Sequence, residues 1–172
     1  NTYGIAYYKM APQVSLDEVE MIKSLGVEFR CGVEVGKDIT VAQLEKDFDA
    51  IFVAVGLSGS PKLNIPGEDL PEVVDALKFI EEIHSKPLHQ VAVGERVAVI
   101  GGGNTAIDAV TQAKRLGARD AAIIYRRTQA DMSAYEFEQE LAGTDGARFM
   151  FNVMPVEVLS SAVEIAGQPL LF

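Results

Sequence analysis

The 172-residue sequence predicts an α/β fold with parallel strands, and three observations carry that expectation. From Arg96 the chain runs strand, glycine turn, helix, strand within about 30 residues, the length of one parallel crossover. Ile51 to Val55 is a continuous apolar run of strand length, the pattern of a strand buried on both faces. Ser15 with Glu18, and Thr40 with Gln43, each form a capping box ahead of helically spaced apolar residues.

Taken in order, Leu16, Val19 and Ile22 recur at helical spacing until Gly26, which predicts a helix over 15–25. Val27 to Arg30 reads as a short strand, Thr40 opens a second helix, and the strand over 51–55 ends at Gly56. Gly59, Pro61, Pro66, Gly67 and Pro71 then break the pattern, so a boundary near residue 60 separates segment 1–60 from segment 61–172. Val74, Leu77, Ile80 and Ile83 share one face of a helix over 73–84, and a second connection runs from Pro87 to Gly94. The crossover follows as a strand over 97–100, a turn over 101–103, a helix over 104–116 closed by Gly117, and a strand over 121–125. A helix over 134–142 and strands over 148–152, 156–159 and 162–172 complete the expected elements.

Composition narrows the function. With 48% apolar residues the chain can bury one core, or one core and part of another. No stretch approaches the roughly 20 apolar residues that span a bilayer, and no secretion-signal layout opens the chain, so the expected location is cytoplasmic. A net charge of −10 disfavours nucleic acid and anionic lipid as partners. Cys31 is the only cysteine, which leaves no disulfide, redox pair, thiolate zinc site or Cys-built iron–sulfur cluster within the chain; it reads as a small buried hydrophobe. No metal site is expected. Asn1 opens the sequence without a methionine and the first dozen residues read as a continuation, so a fragment is expected.

Gly101, Gly103 and Ala106 form a G-x-G-x-x-A pattern between a buried strand and a helix, the context that gives a Rossmann-like dinucleotide turn its meaning. Gly101 makes the tight turn, Gly103 lets a pyrophosphate approach the backbone, and Ala106 lets helix and strand lie close. The N–H groups from Asn104 and Thr105 onward face the diphosphate at a helix N-terminus. The bland alternative is a glycine-rich turn without a ligand.

An acid at the end of the second strand would accept hydrogen bonds from a free ribose hydroxyl and repel a phosphate. None is present. Tyr125, Arg126 and Arg127 stand there instead, about 25 residues after Gly101, where two guanidinium groups suit a 2'-phosphate and Tyr125 or an arginine plane suits the adenine. NADPH is therefore expected over NADH, against the alternative of a solvated basic pair. Asp108, near the start of the same helix, either points toward the nicotinamide end of the cleft or is a helix-surface acid. His84 and His89 have no recognisable catalytic partner and read as surface residues, so a stand-alone dehydrogenase has little support.

With these residues in hand, the chain resembles the family of the NADPH-dependent glutamate synthase small subunit and the flavin half of dihydropyrimidine dehydrogenase. The resemblance rests on Gly4-Ile5-Ala6-Tyr7-Tyr8-Lys9, similar to G-I-P-x-(Y/F)-(R/K), and on Leu25-Gly26-Val27, Val35 to Asp38, Asp49 to Gly56 and Pro66 to Asp69. It continues through Gly101 to Asp108 and through Tyr125-Arg126-Arg127 with Met132 and Glu136. It implies a Rossmann-like NAD(P)-binding domain, residues 61–172, inserted in a truncated FAD-binding domain of two-dinucleotide flavoprotein type, of which residues 1–60 are a later part. It also implies that hydride passes from NADPH to FAD, and that electrons leave through iron–sulfur clusters or a partner subunit.

By the same resemblance the pyrophosphate lies against Gly102 to Thr105, the 2'-phosphate against Arg126 and Arg127, and Gly56 approaches the flavin side. The flavin glycine loop, the cysteine-rich segment and the closing G-D motif of that family are not in the sequence, so this chain alone is not expected to hold FAD. Ala6 and Ser133 replace prolines of the family pattern. The expected function is the NADPH-binding portion of a flavin-dependent oxidoreductase, inactive in isolation; the alternative is a nucleotide-binding module without turnover. The expected partners are the rest of the flavoprotein and an iron–sulfur domain or large catalytic subunit.

Overall fold

The computed structural model describes residues 4–56 and 59–160. They form two compact units: residues up to Ser15 with those from Gly59 onward, and Leu16 to Ser58.

In the first unit, β1 (Arg96–Ile100), β2 (Asp120–Tyr125) and β3 (Arg148–Phe151) pair in parallel in the order β1-β2-β3. Val97 lies opposite Ala121, and Ile123 opposite Phe149. Crossovers of parallel strands need helices: α4 (Asn104–Arg115) joins β1 to β2 and α5 (Glu136–Thr144) joins β2 to β3, while α3 (Ala76–Ser85) precedes β1. Helix α4 rests on β1 and β2 and is flanked by α3 and α5, so every residue from Ala106 to Ala113 is buried. Ile80, Ile107, Val110 and Ile123 are among the fully buried side chains, each contributing roughly 1.5–3 kcal/mol of transfer free energy.

The ends of these helices follow from sequence. Asp75 caps α3, its Oδ1 accepting from the Leu77 and Lys78 N–H groups. Gly117 ends α4 at φ +107°, and the Ala118 N–H reaches back to the Ala113 carbonyl at 2.9 Å, a Schellman closure. These elements lie within three residues of the spans read from periodicity, α5 and α3 beginning two and three residues late.

The other expectations fare differently. Helix α1 (Pro12–Ser24) begins at a proline already set for a helix, not at Ser15. Ser15 is inside it, buried, with its hydroxyl on the Met10 sulfur at 3.7 Å. The Thr40–Gln43 capping box does open α2 (Val41–Asp47). The strands expected at 27–30 and 51–55 do not form, and Phe52, Val53 and Val55 are exposed. A fully buried strand needs neighbours on both edges, and among the described residues none flanks either segment. Cys31, expected inside, is exposed. Residues 156–159 form no strand either; Val158 is buried and donates one bond to the Pro66 carbonyl. The strand expected over 162–172 lies outside the described residues.

Candidate functional site

The glycine turn leaves β1 at the carboxyl edge of the sheet, where open α/β folds bind ligands. Gly101 has φ +143°, and its N–H is held by the Ile124 carbonyl at 3.1 Å, which locks the turn to β2. A Cβ on Gly101 would lie 3.3 Å from the Ala106 methyl, so the two small residues permit the close approach of helix and strand. Gly102 is buried over the Tyr125 ring, and a Cβ there would lie 2.6 Å from a ring carbon.

Gly103 is the position with room. It caps α4 in ordinary extended geometry, and a Cβ there would meet nothing closer than Ser133 Oγ at 3.5 Å. Its carbonyl accepts from Ala106 and Ile107, whereas the N–H groups of Gly102, Gly103, Asn104 and Thr105 have no acceptor among the described residues. Four backbone donors thus lie at or just before the positive end of a 12-residue helix, and that donor set fits a diphosphate.

A strap from Met132 to Tyr135 holds this turn from the other side, a feature that periodicity did not reveal. The Ala134 N–H donates to the Gly102 carbonyl and the Tyr135 N–H to Asn104 Oδ1, both at 3.1 Å. Asn104 thereby ties the start of α4 to the start of α5. Tyr125 sits under the turn, half-buried, with its hydroxyl donating to the Asp131 carbonyl at 2.9 Å. Arg126 and Arg127 follow β2 on the same carboxyl edge, both exposed, and neither guanidinium has a hydrogen bond or ion pair among the described residues.

Asp108 is no helix-surface acid. It is buried, accepts from the Tyr8 hydroxyl at 2.9 Å, and pairs with Lys9 Nζ at 2.6 Å. Lys9 also reaches Glu138 on α5 at 2.7 Å, while Arg115 lies 4.4 Å over the Tyr8 ring. Burial, then the Asp108 carboxylate, hold the Tyr8 phenol above its ordinary range. Burial alone would lower the Lys9 ammonium, but its bonds to Asp108 and Glu138 hold it above its ordinary value.

His84 belongs to the same docking: half-buried, its Nε2 lies 2.6 Å from the Ile5 carbonyl, so it is not the surface residue expected. Sequence reasoning missed Tyr8, Lys9 and Glu138 as one cluster. The only signal was the quoted segment Gly4 to Lys9, which nothing local joins to α4. Gly56, at φ +67° and exposed, lies in the second unit.

Residues 6–168 match the pyridine nucleotide-disulphide oxidoreductase family. The chain belongs to that family. Its relatives include the NADP(+)-dependent formate dehydrogenase subunit beta of Moorella thermoacetica, 36% identical over 95% of this chain and 23% of the relative. The NADPH-Fe(3+) oxidoreductase subunit beta of Geobacter sulfurreducens is 36% identical over 91% of this chain and 23% of its own length. The glutamate synthase (NADPH) small chain of Escherichia coli, the kind of protein the motifs resemble, is 33% identical over 91% of this chain and 35% of its own. The chain therefore spans between about a quarter and about a third of these family members.

Among solved structures, FprA from Mycobacterium tuberculosis in complex with NADPH aligns with a TM-score of 0.69 at 22% identity, covering 92% of this chain and 51% of that one. Its His57Gln mutant aligns at 0.71. The fold is the α/β fold of the family's two-dinucleotide-binding members. Among the described residues, no helix is long and apolar enough to cross a membrane.

Proposed function

We propose that this chain is the NADPH port of a flavin-dependent oxidoreductase, passing electrons through FAD to iron–sulfur clusters or a partner subunit. The observation that carries the reading is one edge of one sheet. Four N–H donors at Gly102 to Thr105, without an acceptor among the described residues, suit a diphosphate, and two arginines after β2, unpaired among the described residues, suit a 2'-phosphate where an acid would favour NADH. Relatives named for NADPH or NADP(+), and named as subunits or small chains, support both the cofactor and an assembly.

Bound NADPH supplies hydride to a flavin, which needs no protein acid or base. The residues of this chain bind and orient. The α4 N-terminus stabilises diphosphate charge, Arg126 and Arg127 clamp the 2'-phosphate, and the strap fixes the turn. Titration calorimetry tests this: NADPH binds on the order of a hundredfold more tightly than NADH, and Arg126→Ala with Arg127→Ala removes most of that preference. Equal affinity of the wild type for the two cofactors would defeat the reading.

A further inference from the structure

We propose that the Ser133 hydroxyl is an additional ligand of the cofactor diphosphate, a donor supplied by the strap rather than by the glycine turn. The proposal rests on the NADPH-port reading above and specifies one contact within it. Its geometry comes from Gly103. The second glycine of such a turn is bare so that a pyrophosphate can occupy the space a Cβ would fill. Here that space is lined by one side-chain atom, Ser133 Oγ, 3.5 Å from the Cβ position. A phosphate oxygen settling against the Gly103 backbone comes within hydrogen-bond reach of that hydroxyl.

Two further observations make the hydroxyl available and placed. Ser133 is exposed, and its Oγ has no hydrogen bond among the described residues, so it gives up no protein partner to bind an anion. The residues that follow it are pinned to the turn by Ala134 to Gly102 and Tyr135 to Asn104, so Ser133 is held in register with the four backbone donors. A hydroxyl donating to a phosphate oxygen forms a charge-assisted bond. The contact concerns the diphosphate, common to NADPH and NADH, and leaves selection between them to Arg126 and Arg127.

The test measures affinities of the full protein for NADPH, NADH and 2'-AMP, the last carrying the 2'-phosphate without a diphosphate. Ser133→Ala should weaken NADPH and NADH alike, on the order of tenfold, while 2'-AMP binds as to wild type. Ser133→Thr, which keeps the hydroxyl, should recover most of the loss. If Ser133→Ala binds NADPH as wild type does, the contact is refuted and the port reading stands. If 2'-AMP weakens equally, the serine acts only through loop structure and the proposal is overturned. If wild type binds neither dinucleotide, the port reading itself fails, and this contact with it.

Discussion

Adjacent glycines in the turn do different work, and substitution separates them. Gly102 has no space for a methyl group: the Tyr125 ring stands 2.6 Å from where a Cβ would be, and that ring is anchored by its hydroxyl on Asp131. Gly102→Ala should therefore cost about 1–3 kcal/mol, as overpacked sites do. Gly103 has φ −97° and ψ 174°, a conformation open to any residue, with 3.5 Å to its nearest neighbour. Gly103→Ala should unfold within about 1 kcal/mol of wild type in urea, yet bind NADPH at least about tenfold more weakly because the methyl group fills the place proposed for the diphosphate. Unimpaired NADPH binding by Gly103→Ala would show that the diphosphate does not lie there. The motif made the tight turn at Gly101 and the close approach at Ala106 readable in advance. The steric load on Gly102 was not readable, because Tyr125 arrives under the turn only once β2 has paired with β1.

At the scale of elements, segment 4–9, α4 and α5 meet at Lys9, whose ammonium lies between two carboxylates that are only 6% and 8% exposed. Removing the cation leaves Asp108 and Glu138 buried without it, so Lys9→Met should lower stability by about 3–5 kcal/mol in denaturant titrations. Replacing the acids as well, with Asp108→Asn and Glu138→Gln, should restore most of the loss, since no buried charge is then left alone. A triple variant no more stable than Lys9→Met would refute this account. The pH dependence has a definite sign. The Lys9 pKa is raised on folding, so its contribution is fully present below the ordinary value of 10.5 and is lost as pH rises through the higher folded value. From Lys9 itself the difference between wild type and Lys9→Met is flat from neutral pH to about 9 and closes only in stronger alkali. The spans of β1, α4 and β2 were legible because periodicity, caps and Gly117 act within a few residues. The ion cluster was not, because Tyr8 and Asp108 stand 100 positions apart.

Across the whole molecule, the two units differ in how their apolar residues are used. Val97, Val99, Ile107, Val110 and Ile123 close one core around a paired parallel sheet. In the second unit Phe52, Val53 and Val55 are 92%, 75% and 89% exposed, although their run has the pattern of a central strand. Periodicity identifies a segment fit for a sheet interior but not whether neighbouring strands are at hand, and among the described residues none is. Hydrogen exchange should register the difference. Amides of β2 and of α4 from Ala106 onward open only with the core and should exchange at least about a thousandfold more slowly than those of Ile51 to Val55, which have no ladder bonds among the described residues. Comparable protection in both sets would mean that segment 51–55 is paired in solution, and the arrangement described for it would be wrong. In a longer protein carrying this chain, strands added beside 51–55 should slow those amides toward the rates of β2, because a strand gains protection only from the partners it pairs with.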